Sequence, residues 1–301
     1  MVGLTEEEFK KYLEAGRIAV KVKEEIPRIV APGARLVEVA ERIEGLIRYY
    51  GGEPAFPVNI SIGSVAAHYT PIVGDPSVFP EKGLVKVDFG VHVDGYIVDT
   101  AITIDLGGDY AVILNAAREA LEKALQKIAP GTSFREVGRV VEETARRYSL
   151  KPIRNLSGHR IDRYRIHAGE SIPNYPESFM PWKFRDGGVY ALEPFITNGA
   201  GMVAEENLVT IYSVKKTKIK ASESEERVLR EASTRFKGLP FCGRWLSDLG
   251  RDIEKILDRL RAKGALHPYP VLTEIAGGQV AQFEETIVIY SRAPYVVTRR
   301  F

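Results

Sequence analysis

The sequence has a single cysteine, Cys242, in 301 residues, so neither an internal disulfide framework nor a cysteine-rich zinc site is available to it. It has no apolar run approaching the length of a bilayer-spanning helix. It also has almost no net charge. The 42 basic and 40 acidic residues leave +2, which argues against a nucleic-acid or membrane footprint. Asparagine, glutamine and methionine are scarce, at 6, 3 and 3 residues, a pattern of heat-adapted proteins. The opening MVGLTEEEFKKYLEAG turns charged and helical at once, unlike a secretory signal. The expected setting is a reducing, cytoplasmic one, without a membrane or a specific nucleic acid as partner.

What is present is 45% apolar content, ample for a core. Thr5 and Glu8 have the spacing of a capping box, and Phe9, Tyr12, Leu13, Ile18 and Val22 then recur at helical intervals. Ala31-Pro32-Gly33 breaks the chain, and a second helix is predicted from about Leu36 to Tyr50. The stretch KVDFGVHVDGYIVDT, residues 86–100, reads as a hairpin turning at Asp94-Gly95.

The same order then returns. Residues 31–50, APGARLVEVAERIEGLIRYY, and residues 129–148, APGTSFREVGRVVEETARRY, agree at eight of twenty positions at an offset of 98. GLVKVDF at 83–89 resembles GVYALEP at 188–194, which aligns Asp88 with Glu193. VDTAITI at 98–104 resembles FEETIVI at 283–289, which aligns Asp99 with Glu284. The paired acids are 11 residues apart in the first half and 91 in the second, so the second hairpin carries a long insertion. Predicted helices from Ser222 or Ser224 to Phe236, and from Leu246 to Lys263, make 215–268 an inserted helical subdomain. The catalytic part is then 1–214 plus 269–301 of one domain, 1–301.

An unpaired carboxylate in an apolar interior is costly. With Asp94-Gly95 as the turn, Gly90 lies opposite Asp99, and Asp88 shares its face at the roughly 7–8 Å of a diagonal neighbour. Glu193 and Glu284 would bring four acids to one centre, a charge that a pair of divalent metals satisfies. Nitrogen ligands can come only from His68, His92, His159, His167 or His267, and His159 in NLSGHRI is best placed to reach the cleft. A carboxylate-rich shell with one imidazole suits manganese, iron, cobalt or zinc.

Six ordered pieces, AAHYTP (66–71), KVDFGVHVDGYIVDTA (86–101), LSGHRI (156–161), RIHAGESIP (165–173), ALEPF (191–195) and AQFEETI (281–287), span nearly the whole chain. Together they resemble the type 2 methionine aminopeptidases, in the pita-bread fold shared with prolidase and aminopeptidase P (peptidase family M24). The resemblance implies an α+β fold of two pseudo-symmetric helix-helix-strand halves, with the helical insertion marking type 2. It implies Asp88, Asp99, His159, Glu193 and Glu284 as ligands of two divalent ions. It further implies His68 and His167 as the histidines flanking the substrate, Glu193 as proton carrier, and Phe56, Ile166 and Tyr269 as the wall around a methionine side chain. The expected activity is removal of the initiator methionine from nascent chains and peptides with a small second residue, with transient ribosome contact compatible with the family.

One departure stands out. The family commonly has histidine after the last glutamate, whereas here Glu285 follows Glu284. The repeat favours Glu284 as the ligand, since strand neighbours face opposite ways. Two rival readings share the frame: an Xaa-Pro aminopeptidase or prolidase-like peptidase, and a metal-free protein that binds ribosomes or RNA. The insertion counts against the first and the intact ligand set against the second.

Overall fold

The computed structural model describes residues 3–300, whose strands pair antiparallel into four sheets with helices packed against them. The first half contains α1 (Glu6–Ile29), α2 (Leu36–Tyr49), β1 (Glu53–Pro54), β2 (Asn59–Ile62), β3 (Val65–Ala67), β4 (Leu84–Val93) and β5 (Tyr96–Asp105). The second begins with α3 (Ala111–Leu125), α4 (Phe134–Arg147), β6 (Lys151–Pro152), β7 (Ser157–Ile161), β8 (Ser171–Pro173), β9 (Val189–Leu192) and β10 (Phe195–Thr197). It continues through β11 (Val203–Val214), α5 (Glu223–Phe236), α6 (Ile253–Ala262), β12 (Leu266–Glu274), β13 (Val280–Gln282), β14 (Glu285–Tyr290) and β15 (Ala293–Val296). No helix among the described residues is long and apolar enough to cross a membrane.

The Thr5–Glu8 capping box forms, with each residue's side chain taking the other's backbone N–H. α1 buries Tyr12, Ala15, Ile18, Ala19, Val22 and Ile26 in a core shared with Val85, Val87 and Phe89 of β4. α3 and α4 build the matching core against Tyr190, Leu192 and Ile287. The repeat is visible in the boundaries. α2 and α4 are both 14 residues long, and Leu36 and Tyr49 precede Phe134 and Arg147 by the same 98 positions.

Each half has a central strand. β4 pairs antiparallel with β1, β2 and β5, with Val93 opposite Tyr96 and Gly90 opposite Asp99, as the hairpin reading requires. Asp94 and Gly95 both take left-handed backbone, at φ 51° and 84°. That geometry matches the twist of the strands they join. β9 lies between β7 and β14 in a sheet of order β15-β14-β9-β7-β8. The halves are stitched where Ala101 of β5 exchanges hydrogen bonds with Glu284, just before β14.

The insertion stands on the paired strands β11 and β12, so 268 falls inside β12. Its own core joins Val228, Leu229 and Ala232 of α5 to Ile256, Leu257 and Leu260 of α6. The single helix expected over Leu246–Lys263 is instead a 3₁₀ turn, Gly243–Leu249, followed by α6 from Ile253. Gly250, at φ 149°, separates them and resets the chain direction.

Candidate metal centre

Five of the residues singled out in the sequence converge between the halves. Asp88 and Asp99 come from β4 and β5, His159 from β7, and Glu193 and Glu284 from the ends of β9 and β14. Candidate ligand atoms of Asp99, His159 and Glu284 all lie within 4.8 Å of one another. His159 Nε2 is 3.4 Å from Asp99 Oδ2 and 3.6 Å from Glu193 Oε1. Asp88 joins them through the register, diagonally across from Asp99.

These groups are under-satisfied. Oδ1 of Asp88, Oδ1 of Asp99 and Oε1 of Glu284 are buried without a hydrogen-bond partner. Burial, followed by the negative charge of Asp99, pushes the Asp88, Glu193 and Glu284 carboxyls well above the usual range. Unpaired buried carboxylates crowded on one imidazole are what a hard or borderline divalent cation relieves, so the residues fit a divalent metal.

Gln282 went unnoticed in the sequence. Its buried amide donates to Glu284 Oε2 at 3.1 Å and to Glu193 Oε2 at 3.3 Å, leaving each carboxylate an oxygen for another partner. Its signal was its place two residues before Glu284 along a β-strand, hence on the same face.

Glu285 faces the other way. It accepts from Lys23 at 2.8 Å, Arg299 at 3.0 Å and the Thr298 hydroxyl. The odd acid is therefore neutralised by two cations at the back of the centre, and Lys23 is so deeply placed that burial lowers its pKa.

The centre opens into a cavity of about 440 Å³. Asp88, Asp99, His159 and Glu193 line it together with His68, His167, Phe56, Ile166 and Tyr269. Gly90 lets Phe56 in, because a β-carbon there would come within 2.5 Å of the Phe56 ring. His167 faces the cavity with its ring centroid 4.5 Å from that of His159, nearly edge-on at 75°. Arg160 N–H donates to Glu170 O, and Ala168 N–H to Arg160 O, closing the hairpin that carries both histidines. The protein mass around His167, and then His159 beside it, pushes its pKa well below the ordinary value, so it is a neutral donor at pH 7. His68 is also shifted down by burial. Its Nδ1 lies 3.1 Å from the Pro270 carbonyl, which can only accept, so Nδ1 carries the proton and Nε2 keeps a lone pair. His92 and His267 do not line the cavity: His92 packs on Tyr164, and His267 packs edge-on against Tyr269.

The family model of metallopeptidase family M24 matches residues 10–213. This chain belongs to family M24. Among M24 relatives, a methionine aminopeptidase of Thermococcus onnurineus is 42% identical over 294 residues, covering 97% of this chain and 100% of the relative. Two solved structures share the fold at low identity. A thermophilic Arx1 superposes with TM-score 0.86 at 19% identity, over 98% of this chain and 91% of that one. A Thermotoga maritima methionine aminopeptidase gives 0.72 at 21% identity, over 100% of both chains. The pita-bread architecture expected of an M24 protein is thus the one observed.

Proposed function

We propose that this M24 peptidase hydrolyses the first peptide bond of chains that begin with methionine, and that it is of type 2. The observation that carries the reading is one cavity in which four candidate ligands share a lining with Phe56, Ile166 and Tyr269. Its volume falls in the roughly 300–1,000 Å³ typical of small-ligand sites. Full-length similarity to a methionine aminopeptidase supports the same substrate, and the helical insertion on β11 and β12 supports the type.

Asp88, Asp99, His159, Glu193 and Glu284 would hold two divalent ions, of cobalt, manganese, iron or zinc. When bound, such ions supply an acidified water at neutral pH and a Lewis-acid hold on the scissile carbonyl. The chain's own residues do the rest. Phe56, Ile166 and Tyr269 bury the methionine side chain, and the remaining space restricts the second residue to a small one. Glu193, with one oxygen on Gln282, takes up the proton of the attacking water and carries it to the departing amine. Neutral His167 donates to the oxyanion, a contact worth a few kcal/mol at such sites. His68 Nε2, left as an acceptor by the Pro270 contact, orients the scissile N–H. The substrate is a peptide or a nascent chain met in the cytoplasm near the ribosome.

The test is turnover of Met-Ala-Ser against Met-Pro and Xaa-Pro peptides, with cobalt or manganese added and with an EDTA control. Metal-dependent release of methionine from Met-Ala-Ser alone is the expected result. Preference for Xaa-Pro bonds would move the chain to the prolidase side of the family, and no turnover with any metal would favour a binding role.

A further inference from the structure

Besides apolar contacts of Phe236 and Leu239, a buried ion pair joins the insertion to the catalytic part. Arg244, in the 3₁₀ turn, is 7% exposed, and Glu44, on α2, is 2% exposed. The pair is bidentate, with Nη1 to Oε2 at 2.9 Å and Nη2 to Oε1 at 2.8 Å. Its remaining contacts reach the cavity wall from behind. Arg244 Nε donates to the Pro71 carbonyl at 2.7 Å, and Nη2 to the Thr70 hydroxyl at 3.1 Å. Glu44 accepts the Val58 N–H at 3.2 Å and the Trp245 indole N–H at 2.9 Å.

Thr70 and Pro71 follow His68 by two and three residues, and Val58 lies between the cavity residues Phe56 and Asn59. His68 needs such support. It is a non-glycine residue at φ 66°, a conformation that costs energy and persists only where its surroundings impose it. Thr70 N–H in turn donates to the Thr210 hydroxyl at 3.2 Å, on β11, the strand that leads into the insertion.

We infer that Arg244 and Glu44 are positioning residues that fix the 68–71 segment, and with it His68, so the insertion takes part in catalysis. The inference rests on the role given above to His68. Breaking the pair singly would leave a buried charge unpaired. Replacing both partners by apolar groups of similar size is often neutral or even stabilising. The double substitution Glu44→Leu/Arg244→Met therefore separates folding from positioning.

We expect the double variant to fold but to melt lower than the unaltered protein, because the Val58 N–H, the Pro71 carbonyl and the Thr70 hydroxyl lose partners. At a temperature where it is folded it should lose kcat on Met-Ala-Ser about tenfold to a hundredfold, the scale of small misplacements in an active site. In a His68→Ala background the same double substitution should change kcat by less than about twofold, since its target is gone. Full kcat in the double variant, or an equal loss in both backgrounds, overturns the inference. If the double variant does not fold, Arg244→Lys goes through the same cycle, because it keeps a charge for Glu44 but not the fork that reaches Thr70 and Pro71. ¹⁵N-histidine spectra read the same question without turnover. The Nδ1–H signal of His68, assigned by its absence in His68→Ala, should be exchange-protected in the unaltered chain and lose that protection in the variant. An unaltered chain that shows this signal but releases no methionine sinks the aminopeptidase reading alone; retained protection in the variant sinks the positioning role.

Discussion

The Thr286 hydroxyl makes two hydrogen bonds to the backbone of Asp99, accepting its N–H at 2.7 Å and donating to its carbonyl at 2.8 Å. One side chain of β14 thus satisfies both main-chain groups of a candidate ligand on β5, from the opposite half of the chain. Thr286→Val removes both bonds in a fully buried place. Unfolding free energy should fall by about 2 kcal/mol, with weaker metal binding, while Thr286→Ser should keep most of both. Chemical denaturation and metal titration of the two variants would check this.

Asp88→Ala and Glu284→Ala should abolish metal-dependent activity and leave the fold intact. Because these carboxyls are uncomfortable when buried without a cation, the metal-free variants should melt no lower than the metal-free parent. What they should lose is the rise in Tm on adding cobalt or manganese. A variant that still gains that rise would remove its residue from the ligand set.

Acidity follows from the same carboxyls. Their folded pKa values are raised, so between the ordinary carboxylate range and those values the folded metal-free chain holds protons that the unfolded chain has lost. Its stability therefore drains away as pH rises through that window. Cations replace those protons, so the gap between metal-loaded and EDTA-treated melting temperatures should widen from pH 5 to pH 8. A gap that narrows would contradict the assignment.

Glu285→Ala should act on stability rather than on the centre. It leaves Lys23, 16% exposed, without its acid, while Arg299 keeps its pair with Glu122, and a cost of about 1–2 kcal/mol is expected after allowance for that exposure. Metal stoichiometry, read by calorimetry, should stay as in the parent.

His167→Ala should lower kcat more than it raises KM, because an oxyanion contact forms only in the transition state. His167 is already neutral, so its loss should not shift the acidic limb of the pH profile. An effect confined to KM would reject the role.

Much of this was legible in the sequence because it is local or periodic. The Asp94-Gly95 turn fixes the register of its hairpin, and alternation then puts Asp88 and Asp99 on one face. The repeat carries that face to Glu193 and Glu284 and separates Glu284 from Glu285. What stayed hidden depends on three-dimensional contact between distant segments. Nothing in the sequence around Glu44 announces a partner 200 positions later in Arg244. The break at Gly250 was masked because Leu246 keeps helical spacing with the residues beyond it, though its turn is tightened to 3₁₀. Gln282 was overlooked because glutamine coordinates divalent ions less readily than acids or imidazoles, and its work here is to hold two acids.

The candidate ligands are divided between the two repeats, Asp88 and Asp99 in one and His159, Glu193 and Glu284 in the other. Severed at the linker before α3, the polypeptide would yield fragments each with an incomplete coordination sphere. Cations bound between them would behave as a fastener, making reassembly of such fragments metal-dependent and tying retention of the ions to the integrity of the seam.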